Sequence, residues 1–247
     1  MSVTVVIPAY NRPEGLRAAL QSAGTQTVLP AEIVVTDQGV NPALPDIVEQ
    51  ARDAYPVEIN YVRQTRPVSP ANNWYTGLRA VNTPWVKVLA DDDLMAPTCL
   101  QKQLALSEGK RLVQSAAYAN GQIWYGQTIP GASELARMVA SGAASPNPVT
   151  SLIDTDTVFK GLSMVRRLSW NTYKSGCGPN LLLIYGGILD DWQAYANTPE
   201  PLCTLGGFNE TGDNESYTLR LMRENRSVWQ ESYNETYTLL NELAGSA

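Results

Sequence analysis

The feature that most constrains this chain is a regular alternation of strand-like and helix-like segments over its first hundred residues. Ser2 to Pro8 reads as a buried strand with few polar residues. Glu14 to Thr25 places Leu16, Ala19, Leu20 and Ala23 at helical spacing. Glu32 to Thr36 is a second buried strand, and Pro45 to Tyr55 a helix stopped by Pro56. Val57 to Val62 is a third strand, Asn72 to Val81 a helix and Trp85 to Leu89 a fourth strand. A β-α-β-α-β-α-β order predicts an α/β fold, with a mostly parallel central sheet and helices on both faces.

Ligands on such sheets bind at the carboxyl ends of the strands. Three polar turns fall there: Tyr10-Asn11, Asp37-Gln38 and Asp91-Asp92-Asp93. The last follows Val86 to Leu89, strong strand formers with little room for a polar face. Three adjacent carboxylates repel one another and lose solvation, so a positive charge should offset them. A divalent cation with oxygen ligands suits that position. The alternative is a solvated acidic turn capping a helix that begins near Pro97.

Beyond Pro97 the pattern predicts a helix over Cys99 to Ser107, a strand or hairpin over Ala116 to Tyr125 and a short helix over Ser133 to Ala140. Ser141 to Pro148 reads as a loop, Leu181 to Tyr185 as a strand, and Glu215 to Glu224 and Ser232 to Leu243 as helices. Val158 to Leu168 is apolar and basic by turns. No internal repeat or low-complexity linker divides the 247 residues, so a single domain is expected.

At 44% hydrophobic the chain can bury a sizeable core. Its net charge of −6 argues against nucleic acid as a partner. No apolar run reaches the ~18 residues of a membrane span, and no basic leader precedes the first strand. Three cysteines without metal-ligand spacing fit a reduced, cytoplasmic setting. Histidine is absent, which excludes His-based triads and His zinc sites and leaves acid–base chemistry mainly to carboxylates.

Several segments together resemble the family 2 glycosyltransferases, which have the GT-A fold. Val3 to Arg12 is similar to their first strand and turn, and Glu32 to Gly39 to their second strand and acidic turn. Asn72 to Leu78 and Leu89 to Asp93 resemble their helix and DxD segment, and Gly206-Gly207-Phe208-Asn209-Glu210 followed by Leu219-Arg220-Leu221 a late family segment. The matches run in the family's order over most of residues 3 to 221. They imply a nucleotide-binding half over 1–100 and an acceptor half with a terminal helix over 101–247.

The resemblance implies an inverting, metal-dependent transfer of a hexosyl or pentosyl unit. A nucleotide-diphosphate sugar would contact Pro8, Ala9, Tyr10, Asn11, Asp37, Gln38, Asp91 and Asp92, with Arg66 facing the diphosphate. Mn²⁺ or Mg²⁺ would be held by Asp91, Asp92 and Asp93. Two frames of the motif stay open, the literal Asp91-x-Asp93 and a family alignment on Asp92 and Asp93 that puts Ala90 where an acid often stands. Gln38 replaces the usual second acid of its turn, and Tyr75 stands where Asn is usual. A carboxylate would take the proton of the acceptor hydroxyl. Counting back from Leu219-Arg220-Leu221 places the family's Glu-Asp pair on Asp213-Asn214, so Asp213 is the first choice of base, Glu215 the second and Asp191 the third. Trp170, Trp192 and Tyr195 are candidates for stacking on a sugar acceptor, and Cys177 for a loop thiol without a nucleophilic role. Two other functions compete: a non-catalytic module that binds a nucleotide sugar on the same fold, and a sugar nucleotidyltransferase, against which the glycine-poor first turn speaks.

Overall fold

The computed structural model describes residues 1–39, 41–66, 68–119, 121–124, 137, 148–169, 188, 191–206 and 224–244. The first half follows the expected alternation. Strand β1 (Val3–Ala9) leads to helix α1 (Pro13–Gly24), β2 (Glu32–Asp37) to α2 (Leu44–Ala54), and β3 (Glu58–Arg63) to α3 (Pro70–Arg79) and β4 (Trp85–Val88). Every residue of β1 and β4 is buried, which explains why neither strand shows a polar face in the sequence. Each helix has a proline in its first turn, where the missing N–H costs nothing. Ser69 caps α3, its Oγ accepting from the Asn72 N–H at 3.2 Å.

The strands are ordered β3-β2-β1-β4 and continue as β8-β6-β9-β5, with β7 paired to β6. The added strands are β5 (Leu94–Met95), β6 (Leu112–Ala119), β7 (Gln122–Trp124), β8 (Ser151–Asp154) and β9 (Tyr195–Thr204). The pairings run β1, β2, β3, β4, β6 and β9 in one direction, and β5, β7 and β8 against them. The expected α/β class with a mostly parallel sheet is thus the one observed. Of the strand or hairpin expected over Ala116 to Tyr125, the antiparallel pair β6 and β7 bears out the hairpin, although its first strand starts earlier. Strands β5, β8 and β9 were not expected. The first is two residues long. The last carries Pro199 and Pro201, and its register with β6 shifts around Ala116, where a proline costs no ladder bond. The helix expected from Cys99 is α4 (Cys99–Ala105), the ambiguous segment near Val158 is helix α5 (Thr155–Val165), capped by Asp154, and the terminal helix α6 spans Arg226–Ala244. The elements predicted over 133–140, 181–185 and 215–224, and most of the loop before Pro148, lie almost wholly outside the described residues.

Two apolar cores cover the two sheet faces. Val5, Ile7, Ile33 and Val35 pack against α1 and α2, while Val6, Val34 and Val86 pack against α3, α5 and α6. Alternate residues of one strand therefore serve opposite cores. The helix joining β3 to β4 lies on the other face from α1 and α2 because right-handed crossovers put it there once the strand order reverses. Two glycines permit the close approach. A Cβ on Gly77 would sit 2.5 Å from Val6 Cγ1, and one on Gly15 would sit 2.3 Å from the Asp91 carbonyl oxygen.

One ionic group lies inside the first core. Lys87 is wholly buried, donating from Nζ to the Val149 carbonyl at 2.5 Å and lying 3.6 Å from Cys203 Sγ. Cys99 Sγ is 4.0 Å from the same sulfur. A hydrogen bond from Cys99 and the neighbouring Lys87 hold the Cys203 thiol down to about 6, while the same bond and burial push Cys99 up. No helix among the described residues is long and apolar enough to cross a membrane.

Candidate active site

The strand order reverses at β1, which lies between β2 and β4, and in sheets of this kind the carboxyl ends beside such a reversal form the ligand crevice. Pro8 and Ala9 end β1 inside the sheet, paired with Thr36 and Asp37. The chain then turns through Asn11, whose φ of 51° is left-handed. Asparagine tolerates this conformation better than most residues. Asn41 donates to Asn11 Oδ1 at 3.0 Å and ties the turn to the start of α2. Tyr10 stands 50% exposed at the rim.

This turn meets the acid run directly. The Tyr10 N–H donates to Asp91 Oδ2 at 2.6 Å, and Arg12 Nη1 donates to Asp91 Oδ1 at 2.8 Å. The same nitrogen lies 3.2 Å from Asp92 Oδ2. The positive charge that the sequence reading sought beside the three acids is, in this fold, a guanidinium. Arg12 lies in the quoted first turn, and its distance of 79 residues from Asp91 explains why no local pattern paired them.

The three acids occupy different environments. Asp91 is buried, and burial pushes its carboxyl up to about 7 against the opposing pull of Arg12 and the Tyr10 N–H. Asp93 is buried too. Its Oδ1 accepts from the Gly206 N–H at 2.7 Å, while burial and then the charge of Asp92 push it well above the usual carboxylate range. Asp92 keeps 27% of its side chain exposed, against 3% for Asp91. Among the described residues no group of three or more Asp, Glu or Cys side chains converges into a metal cage. The arrangement fits instead a hard cation of the Mg²⁺ or Mn²⁺ type, which takes one or two carboxylates and fills its shell with substrate phosphates and water. Asp92 is the carboxylate open for that role.

Asp37 ends β2 with no exposure. It accepts from the Gly39 N–H at 2.8 Å and from the Tyr61 hydroxyl at 2.5 Å, with Arg63 Nε at 3.6 Å. Burial and the bond to Asp37 push the Tyr61 hydroxyl up. Gln38 is buried beside it, its N–H donating to the Ala9 carbonyl at 3.3 Å. Asn73 joins the two strand ends. Its Nδ2 donates to the carbonyls of Ala9 at 3.2 Å and Thr36 at 2.9 Å, and its buried Oδ1 has no partner among the described residues. Tyr61 and Arg63 were missed because nothing in their own segment marks them, and Asn73 entered only as part of the resembling helix segment from Asn72 to Leu78.

The other sequence candidates separate. Arg66 is exposed on the loop after β3, with no ion pair to the acid run among the described residues. Asp191 precedes β9, whose first residue pairs with Leu112 at the start of β6. That is the amino edge of the sheet, opposite the acid run. There Asp191 lies 3.6 Å from Arg111 Nη2. The structure therefore does not bring Asp191 to the crevice. Trp192 and Tyr195 belong to the same edge, and the Tyr195 hydroxyl is 3.2 Å from Gln114 Oε1. Asp213, Glu215, Trp170 and Cys177 lie outside the described residues.

The chain matches the family described as Glycosyl transferase family 2 over residues 4–137. It is 28% identical over 121 residues to the Succinoglycan biosynthesis protein ExoO of Rhizobium meliloti (strain 1021), covering 49% of this chain and 31% of that one. The chain thus spans about a third of that relative's length. Among solved structures, S. aureus TarS in complex with UDP-GlcNAc superposes with a TM-score of 0.68 at 13% identity, over 97% of this chain and 72% of TarS. Mannosyltransferase PcManGT from Pyrobaculum calidifontis, in complex with GDP-Man and Mn²⁺, does so with a TM-score of 0.59 at 14% identity, over 99% and 73%. These likenesses show a shared fold.

Proposed function

The chain belongs to glycosyl transferase family 2, and from that premise we propose that it moves a hexosyl or pentosyl unit from a nucleotide-diphosphate sugar to an acceptor hydroxyl with inversion. The observation that carries this reading is the meeting of the β1 turn and the acid run at the switch point of the sheet. The donor lies across the carboxyl ends of β1, β2 and β4. Pro8, Ala9, Tyr10 and Asn11 shape its cradle, and Asp37 with Gln38 closes the end for the base. Arg66 reaches the diphosphate from its loop once donor is bound.

Asp92, with Asp91 and Asp93 behind it, holds the cation side of the diphosphate. A bound Mn²⁺ or Mg²⁺ supplies Lewis-acid neutralisation of the charge that develops on the leaving nucleoside diphosphate. Asp93 is oriented through Gly206 and Asp91 through Tyr10 and Arg12, so the acid run needs little rearrangement as charge builds. A carboxylate takes the acceptor proton while that oxygen attacks the anomeric carbon, and one displacement inverts the centre. Asp213 is the first choice for the base and Glu215 the second. Asp191 ranks last, given its place at the opposite sheet edge. The chain works as one domain, residues 1–100 for donor and 101–247 for acceptor, in a cytoplasmic setting.

The decisive experiment combines binding with turnover. Melting temperature is measured against a panel of nucleoside diphosphates and nucleotide sugars with and without Mn²⁺, followed by hydrolysis of any donor that shifts it. A ligand selective for the folded state adds roughly 2.7 kcal/mol at a hundredfold excess over its dissociation constant. A metal-dependent shift and slow hydrolysis, both lost in Asp92→Asn, are expected. Turnover that survives in Asp92→Asn and in Asp93→Asn with metal removed overturns the reading. A second reading, a non-catalytic nucleotide-sugar-binding module, is favoured by Asn214 at the position of the base and Ala90 at that of an acid. Binding without turnover across a broad acceptor panel selects it.

A further inference from the structure

Arg12 places one nitrogen between two acids that differ in how firmly they hold it. Its bond to Asp91 is the shorter, 2.8 Å, and is made to a buried carboxylate whose other oxygen is already held by the Tyr10 N–H. Its contact with Asp92 is longer, 3.2 Å, and more than a quarter of the Asp92 side chain is exposed. Water screens the second contact and competes for it, so it is the cheaper one to break. The backbone gives Arg12 little room to withdraw. It lies between a left-handed Asn11 and Pro13, the first residue of α1.

A divalent cation on Asp92 would therefore stand beside a guanidinium that remains anchored to Asp91. The two positive charges oppose each other, and a cation arriving alone must also take Asp92 from Arg12. A diphosphate changes the balance. It brings negative oxygens that bind the cation and also accept from the guanidinium N–H released by Asp92.

We propose that Arg12 is a specificity-determining residue of the donor site: it keeps Asp92 from free divalent cations and yields it to a cation that comes with a diphosphate. The inference rests on the metal-assisted reading above and adds to it an order of binding enforced by one side chain. It makes cation and diphosphate bind with positive cooperativity, each raising the affinity of the other by the same factor.

The test is a titration of metal-free, full-length protein with Mn²⁺, followed by the electron paramagnetic resonance signal of the unbound ion. It is run alone and with UDP, GDP or pyrophosphate. Wild type should bind Mn²⁺ alone weakly, and at least about tenfold more tightly with a diphosphate, within the usual range of coupling. Arg12→Gln should bind Mn²⁺ alone about tenfold more tightly than wild type and gain less from the diphosphate. Arg12→Lys keeps the charge but replaces the planar guanidinium by a compact ammonium, so its affinity should fall between the two. It also carries the comparison with wild type should Arg12→Gln not fold. Equal Mn²⁺ affinity in wild type and the Arg12 variants overturns the role of Arg12 while leaving the metal reading intact. Absence of Mn²⁺ binding in every form, with every diphosphate, overturns the metal reading and this inference with it.

Discussion

Two charged clusters hang from the same strand and have opposite characters. Lys87 lies within β4 and Asp91 just beyond its end, and both are buried. Lys87 is sealed in the core, with a carbonyl, Cys203 and no described carboxylate to meet it. Asp91 opens, through Asp92 and Arg12, onto a crevice where ligands can replace protein partners. A sealed charge can only stabilise or destabilise the fold. A charge at the edge of a crevice can exchange partners, and exchange is what binding and catalysis require. Position along a strand, a matter of four residues, separates the two.

The largest expected effect falls on the sealed cluster. Lys87→Ala leaves a cavity and breaks a buried polar contact, and should lower unfolding free energy by about 3–5 kcal/mol. Lys87→Met, of similar shape and without charge, should retain most of that stability. Urea melts compare them, and transfer per folded molecule should stay unchanged in both. A loss of turnover in a well-folded Lys87→Met protein would erase the contrast between the clusters. Asp92→Asn should do the reverse. Removal of one preorganised charge of this kind costs roughly 10²–10³-fold in rate, and a partly exposed side chain costs stability by no more than about 0.5 kcal/mol. Donor hydrolysis and thermal melts read the two quantities.

The third effect is a pH dependence. The folded Asp91 carboxyl is pushed from 3.8 up to about 7, so the folded state binds its proton more tightly than the unfolded chain does. Its contribution to stability is fully present below pH 3.8, is lost as pH rises towards 7, and is flat beyond. Relative to Asp91→Asn, the melting temperature of wild type should therefore fall across that window. A constant difference would mean that the pair with Arg12 keeps Asp91 ionised throughout. A smaller effect belongs to Tyr61→Phe, which removes one hydrogen bond from buried Asp37. It should cost about 1.5–3 kcal/mol, the usual range for a hydrogen bond to a charged group, and weaken nucleoside diphosphate binding without changing the Mn²⁺ affinity of the free protein. The smallest is Ser69→Ala. Loss of that cap should cost about 1 kcal/mol in a urea melt and leave donor binding at wild-type affinity.

The first four strands and three helices were legible within a few residues of their ends. Their signal is local, since full burial and helical spacing are written into each segment. Strands β5, β8 and β9 exist through pairing partners, and Leu94–Met95 becomes a strand only because Thr204 and Cys203 lie beside it. The site divides in the same way. The turn at Tyr10, the end of β2 at Asp37 and the acid run could be placed together from the β-α alternation alone. Arg12 could not be assigned to Asp91, nor Gly206 to Asp93, because 79 and 113 residues separate the partners. Asp191 shows the converse, a carboxylate in a suggestive segment that the direction of β9 places at the other edge.

The sequence by itself determined the α/β architecture and the gathering of polar turns on one edge of the sheet, because strand and helix periods and chain order suffice for these, and its short motifs carried the family resemblance. Only the tertiary structure decided which of three neighbouring aspartates faces the crevice, which two are buried, and which cation already stands beside them. Those properties depend on desolvation and on charges a few ångströms away, and the groups that supply them come from distant parts of the chain.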